Sequence, residues 1–152
     1  MKLWNDGKAG SAGTSVRATV KGMVGGINRQ LLSRGVRVVN AMRNAELEVL
    51  KGQRSGRIYR KPHTKKATYT ASAPGEPPAK RFGDLRMHWN GEVEKGQSRK
   101  GMVEIVAKLE SAEKYSGWLN NGTKKMKARP FTDRILEKAK PDIKRIFTNS
   151  FK

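Results

Sequence analysis

Seven residues, Ser72-Ala73-Pro74-Gly75-Glu76-Pro77-Pro78, restrict the fold more than any other part of this chain. Proline fixes φ, removes a backbone donor and drives the residue before it to extended geometry. Neither a helix nor a central strand can run through such a segment. The stretch before it is equally unsuited to a core. Lys51, Arg54, Arg57, Arg60, Lys61, Lys65 and Lys66 follow one another with no acid until Glu76. Residues 52–84 therefore read as one extended, basic and proline-rich loop between two folded parts of the chain. A structureless stretch of that length inside a domain is uncommon and often functional. The expected use is a reach to a neighbouring subunit, with Tyr69, Ser72, Pro74, Gly75, Glu76, Pro77 and Pro78 as the docking residues. Prolines suit such an arm because they lower the entropy lost on docking.

Before the loop, Val20, Val24, Ile27, Leu31, Val38, Met42, Ala45 and Val49 fall three, four or seven apart. That spacing predicts one stripe of a long helix, capped at its start by Thr14 or Ser15. Gly22, Gly25, Gly26 and Gly35 weaken it, each by up to about 1 kcal/mol relative to alanine. A kink or a late start near Ile27 is expected, with Ile27 to Leu50 as the firm part and Gly52 as the stop. Residues 1–13 read as a short strand or a loose arm around Leu3 and Trp4.

After the loop the period changes to two. Leu85, Met87 and Trp89 alternate with Arg86 and His88, and Val103, Ile105, Ala107 and Leu109 alternate with Met102, Glu104, Val106 and Lys108. Joined by a turn at Gly96–Gly101, they predict an antiparallel hairpin over residues 85–110. Tyr115 to Thr123 reads as a turn whose aromatic patch packs on the sheet. A last helix over 131–149 presents Ile135, Leu136, Ala139, Ile143, Ile146 and Phe147, with Thr132 as its cap and Pro141 expected to kink or split it. The predicted fold is α+β, one domain of 152 residues, in which a long N-terminal helix and a C-terminal helix pack on a small antiparallel sheet.

The net charge is +20, from 33 Lys+Arg against 13 Asp+Glu. Such an excess strains the compact state by self-repulsion and calls for an anionic partner, either nucleic acid or acidic protein. Two clusters are the candidates for contact with a partner's acids or with DNA phosphates: Arg54, Arg57, Arg60, Lys61, Lys65 and Lys66, and then Lys124, Lys125, Lys127 and Arg129. Only Tyr59 and Tyr69 stand among the first cluster to stack bases, so single-strand recognition is poorly supported.

Catalytic chemistry finds no constellation. The chain has no cysteine and only two histidines, His63 and His88, which excludes disulfides and thiolate metal sites and leaves too few ligands for the usual set of three or four. Gly22, Gly25 and Gly26 form a glycine cluster without the preceding strand that a phosphate loop requires. Glu92 and Glu94 share a strand face but read as solvated hairpin residues, since a catalytic pair needs a cleft as well. No cofactor, metal or catalytic residue is expected. No apolar run approaches the roughly 18 residues of a membrane span, and the N-terminus lacks an apolar signal core. A cytoplasm-like compartment is expected.

Two segments carry a family resemblance. The first comprises Gln53-Arg54-Ser55-Gly56-Arg57-Ile58-Tyr59, Tyr69-Thr70-Ala71-Ser72-Ala73-Pro74-Gly75-Glu76-Pro77-Pro78-Ala79 and Gly83-Asp84-Leu85-Arg86. The second comprises Tyr115, Trp118-Leu119, Gly122-Thr123, Met126 and Ala128-Arg129-Pro130-Phe131. In order and spacing they resemble the signatures of the small head–tail joining proteins of long-tailed bacteriophages, also called tail-completion or minor tail-component proteins. The resemblance covers residues 27–150. Many members carry an acid just before the Gly-Thr, where this chain has Asn120-Asn121, so an ion pair from that site is not carried over. The resemblance implies a non-enzymatic virion protein made in the bacterial host cytoplasm. It implies a homo-oligomeric ring, six-fold or twelve-fold, at the neck of the particle. The ring's partners are the head-closure or connector proteins and the tail terminator or tail tube, with genomic double-stranded DNA passing non-specifically and no membrane. Charge alone favours another class, a basic nucleic-acid-binding protein of architectural or ribosomal type. A phage nuclease would need an acidic metal site that the sequence does not offer.

Overall fold

The computed structural model describes the backbone of residues 2–4, 15–23, 28–97 and 102–149, and the side chains of residues 30–97 and 103–149. In chain order the elements are β1 (Lys2–Trp4), β2 (Ser15–Met23), α1 (Asn28–Lys51), β3 (Ile58–Arg60), β4 (Thr68–Thr70), α2 (Asp84–Met87), β5 (Trp89–Lys95), β6 (Met102–Ser111), α3 (Ser116–Asn121) and α4 (Thr132–Thr148). The main sheet is antiparallel with strand order β1-β2-β6-β5. The fold is α+β, with α1 and α4 packed on each other and on the sheet.

The core lies between the two long helices and one face of the sheet. Val38, Met42 and Ala45 of α1 meet Ile135, Ala139 and Ile143 of α4 and Ala107 and Leu109 of β6. Phe131 sits at the centre, fully buried, with its ring edge-on to Trp89 at 6.2 Å between centroids and 85° between planes. Along β6 the expected alternation holds: Ile105, Ala107 and Leu109 are buried while Glu104, Val106 and Lys108 are only half-buried. One packed face and one polar face is the usual economy of an antiparallel sheet. Glycine lets α1 come unusually close. A Cβ on Gly35 would lie 2.8 Å from Val93 Cγ1, and one on Gly91 would lie 2.3 Å from Val39 Cγ1. Gly35 thus costs helix propensity but admits the strand beneath it.

Several expectations need correction. The helical stripe does not extend back to Val20, because Ser15–Met23 is strand β2, paired to β6 from Ser15↔Glu110 to Met23↔Met102. Ser15 therefore starts a strand and caps no helix. A spacing of four is also two periods of a strand, and Val16, Ala18 and Val20 alternate with Arg17, Thr19 and Lys21. Thr14, Val24, Gly25, Gly26 and Ile27 lie outside the described residues, as do 5–13 of the N-terminal segment and 98–101 of the β5–β6 turn. The strand expected from Leu85 begins only at Trp89. Asp84–Met87 is a helical turn, and Trp89 Nε1 donates to the Leu85 carbonyl at 2.5 Å. Leu85 and Trp89 are four apart, a spacing that serves both periods. Tyr115–Thr123 is mostly helix α3 rather than turn, and Trp118 is 64% exposed instead of packing on the sheet. Helix α3 turns Tyr115 and Leu119, four apart, inward and leaves Trp118 outside.

Helix α4 runs unbroken through Pro141. The ring is on the exposed face, so the carbonyl that loses its donor can be hydrated. Thr132 is not its cap; Phe131 holds that position without a side-chain hydrogen bond. Asn120 of α3 does the work from a distance. Its Oδ1 accepts from Phe131 N at 3.1 Å, Thr132 N at 3.3 Å and Thr132 Oγ1 at 3.1 Å. Asn120→Ala is expected to lower unfolding free energy by about 1–2 kcal/mol in urea titration, the usual value of a lost cap. Asn120→Asp keeps an acceptor and adds charge favourable to a helix start, so it should lose much less. Equal losses in the two variants would contradict the capping role.

Candidate functional site

The segment between α1 and α2 is folded back on its own subunit and encloses a cleft. Arg54 anchors it. Its Nη2 donates to the Val49 carbonyl of α1 at 2.9 Å and to the Pro78 carbonyl at 3.1 Å, and its Nε reaches Pro78 O at 3.2 Å. Burial lowers the Arg54 pKa, with Glu76 opposing that shift. The Glu76 carboxylate makes the second anchor. It accepts from Ser55 N at 3.1 Å, Ser55 Oγ at 2.5 Å and Ala73 N at 2.9 Å. Gly56 N donates to Ala71 O and Ala71 N to Arg57 O, each at 2.9 Å, and these bonds lead into the small β3–β4 hairpin. At its tip His63 turns the chain at φ 59°.

The cleft has a volume of about 700 Å³. The β3–β4 hairpin supplies Arg57, Tyr59 and Tyr69, and the proline segment supplies Ser72, Pro74 and Pro78. Lys80, Arg81, Phe82, Asp84 and Arg86 form the next wall, and Tyr115, Leu119 and Arg129 close it. Its charged lining is thus five cations, Arg57, Lys80, Arg81, Arg86 and Arg129, against one acid, Asp84. Tyr59 and Tyr69 stack on each other at 6.0 Å, and the Arg81 guanidinium lies 5.3 Å from the Phe82 ring centre. The Tyr115 phenol is pushed up by burial, helped by Glu113 and Asp84 and opposed by a hydrogen bond with the Leu85 backbone. Such a lining binds anions and apolar groups together. Among the described residues no group of three His, Cys, Asp or Glu could hold a metal, and no helix is long and apolar enough to cross a membrane.

Of the residues expected to dock, Ser72, Pro77 and Pro78 are buried within the chain itself, and Glu76 is engaged as described. Pro74 and Gly75 remain exposed, and Tyr69 is half-buried. Of the expected cationic contacts, Arg57 and Arg129 line the cleft, whereas Arg54 is an internal clamp. Arg129 Nη1 is bonded to Ser72 Oγ. Arg60 is bonded to the Lys65 carbonyl; with Lys61, Lys65 and Lys66 it surrounds the hairpin tip. Lys124, Lys125 and Lys127 are exposed on a separate turn closed by Thr123 and Met126. His88 meets Glu113 at 2.6 Å, and Glu92 and Glu94 are exposed. Sequence reasoning missed Lys80, Arg81 and Phe82. Their signal was the Lys80-Arg81-Phe82 triplet directly after the prolines, where a basic and an aromatic residue adjoin.

Behind the cleft wall lies a buried acid. Glu46 of α1 is fully buried and paired with Arg43, whose Nη1 also donates to the Arg86 carbonyl at 2.9 Å. Arg43 thereby ties α1 to the end of α2. Glu46 Oε1 and Arg86 Nε are buried without a hydrogen bond.

Comparison with known protein families, with curated proteins and with solved structures found no significant match to this chain.

The two carboxylates impose opposite pH dependences. Burial raises the Glu46 pKa from 4.5 to about 7, against the pull of Arg43 and Arg86. Between those values the folded protein holds a proton that the unfolded chain has released, so stability falls as pH rises. Glu46→Gln should match the parent below pH 4.5 and exceed it above pH 7. The gain is up to roughly 3 kcal/mol at about 1.4 kcal/mol per unit. Urea titrations at the two ends of that range check it, and an unchanged difference between them would refute it. Glu76 behaves in the reverse sense. Hydrogen bonds from Ser55 Oγ, Ala73 N and Ser55 N lower its pKa from 4.5 to about 2. Its contribution is complete above pH 4.5 and is lost as pH falls towards 2. Glu76→Gln should therefore flatten the acid limb of the stability profile over that interval, as followed by circular dichroism.

Proposed function

We propose that this protein is a structural component of a bacteriophage neck, forming a ring of identical subunits that joins the DNA-filled head to the tail. One observation carries the reading. The two separate segments that resemble head–tail joining proteins build the walls of a single cleft. Arg57, Tyr59, Tyr69, Ser72, Pro74 and Arg86 come from the first segment, and Tyr115, Leu119 and Arg129 come from the second. Residues from distant parts of a chain that meet at one surface are what a shared binding face requires. A closed ring needs each subunit to present two different complementary surfaces. The cleft offers one, and its lining is apolar as well as charged, with Tyr59 and Phe82 as exposed large rings. Cations around the hairpin tip and the 124–127 turn suit a channel through which DNA passes, since phosphate contacts of that kind carry no sequence information.

In this role the protein acts by binding, with head-closure and tail proteins as partners, and catalyses nothing. A second reading rests on the net charge of +20, which also suits a free duplex-binding protein. The two differ in salt response: a duplex binder holds DNA alone, with an affinity that falls linearly in log–log terms with salt. The deciding experiment is electron microscopy of lysates from the parent phage with an early stop codon in this gene. The expected result is DNA-filled heads beside separate, complete tails. Normal infectious particles would sink the neck reading and favour the DNA-binding one.

A further inference from the structure

We infer that the cleft beside the β3–β4 hairpin is a seat for an extended peptide of acidic and apolar residues contributed by a neighbouring protein. The inference rests on the neck reading for the partner's identity and on the cleft alone for its chemistry. Charge complementarity comes first. Lys80 and Arg81 are exposed on the cleft wall with Arg57 opposite on the hairpin, and Asp84 is the one acid in the lining. Carboxylates placed there meet several cations converging on one concave surface, a complementarity that steers and orients a partner. Apolar complementarity comes second. Phe82 is 54% exposed and Tyr59 46%, so the lining interleaves rings with cations. A chain that alternates acids with Leu or Phe matches both, and a volume of about 700 Å³ suits a few side chains.

Nucleic acid fits less well. A duplex offers phosphates alone, whereas Arg57, Lys80 and Arg81 line a concave surface together with Phe82, Pro74 and Pro78, apolar groups that a phosphate backbone leaves unused. Single strands bind by stacking bases on free ring faces. Here Tyr59 and Tyr69 stack on each other and the Arg81 guanidinium lies over one face of Phe82, so part of the ring surface is already used within the chain. The exposed ring surface and guanidinium groups that remain suit carboxylates and aliphatic side chains.

The test uses the purified full chain and a short fluorescein-labelled peptide in which Asp and Glu alternate with Leu and Phe, read by fluorescence anisotropy. Lys80→Glu with Arg81→Glu should weaken binding at least about tenfold, a change of about 1.4 kcal/mol. Phe82→Ala should weaken it at least about threefold, because the site also uses apolar area. Reversing Lys124 and Lys125 in the other basic cluster should change it by less than about twofold, the screened effect of distant charges. Lys80, Arg81 and Phe82 are exposed, so circular dichroism should confirm an unchanged fold; the milder Lys80→Gln with Arg81→Gln gives the same comparison if it does not. Equal losses from both clusters, an unaltered affinity in Phe82→Ala, displacement of the peptide by duplex or single-stranded DNA in a manner that the Lys80 and Arg81 reversal abolishes, or no binding at all would each overturn the inference. The assay needs no phage, so its outcome is independent of whether particles lacking the protein assemble.

Discussion

Arg54 binds the end of α1 and the proline segment with one guanidinium, and the shape of the cleft beyond follows from that contact. The Val49 carbonyl belongs to the last turn of α1, where the helix has no donors left to offer. The Pro78 carbonyl belongs to a segment whose prolines cannot join a ladder. Neither group finds a partner in regular structure, and a planar cation with five donors can serve both at fixed geometry. Glu76 completes the closure by collecting two backbone amides and a hydroxyl from the chain on either side. These two anchors, with the bonds from Gly75 N to the Ala128 carbonyl and from Arg134 Nη2 to the Gly75 carbonyl, hold the segment against the rest of the chain. So held, it forms one wall of a cleft that α2, α3 and Arg129 complete.

The position of that second wall is a consequence of packing. Trp89 and Phe131 meet edge to face in the core, and each is followed or preceded at once by a cleft element. Leu85, four residues before Trp89, accepts the indole N–H and lines the cleft. Asn120, one residue beyond Leu119 in the lining, caps the helix that starts beside Phe131. The cleft is therefore built on rigid core contacts on one side and on a pinned loop on the other. Surfaces positioned by the core keep their geometry at low entropic cost on binding.

Much of this was legible in the residue pattern. The apolar stripes over 31–50 and 135–147 and the alternation over 103–109 each followed one period long enough to leave no ambiguity, and they define the core. Short segments failed where two periods share a spacing: Val20 to Val24 and Leu85 to Trp89 are four apart, which fits a turn of helix and two strand repeats equally. The polar contacts were beyond such reading. Asn120 capping a helix eleven residues away, or Arg54 reaching Pro78, depends on tertiary placement and leaves no periodic trace. The prolines marked the right segment but not its use, since Pro77 and Pro78 are consumed in closing the subunit while Pro74 stays exposed.

The distribution of charge gives the last constraint. Of the acids, Glu46 is buried against Arg43, Glu76 is spent on amides, and Glu48, Glu110, Glu113, Glu137 and Asp142 are each paired within the chain. Surface pairs of this kind add little stability, and each neutralises a cation together with its acid, so the net charge stays at +20. Their cations are Arg43, Lys108, Lys138, Lys140 and Arg145, so these pairs neutralise none of the cations of the cleft or the hairpin tip. Identical subunits so charged repel one another when brought together. In the proposed ring, apolar contact between subunits works against that repulsion, and acidic segments of neighbouring proteins or DNA in the channel would relieve it directly.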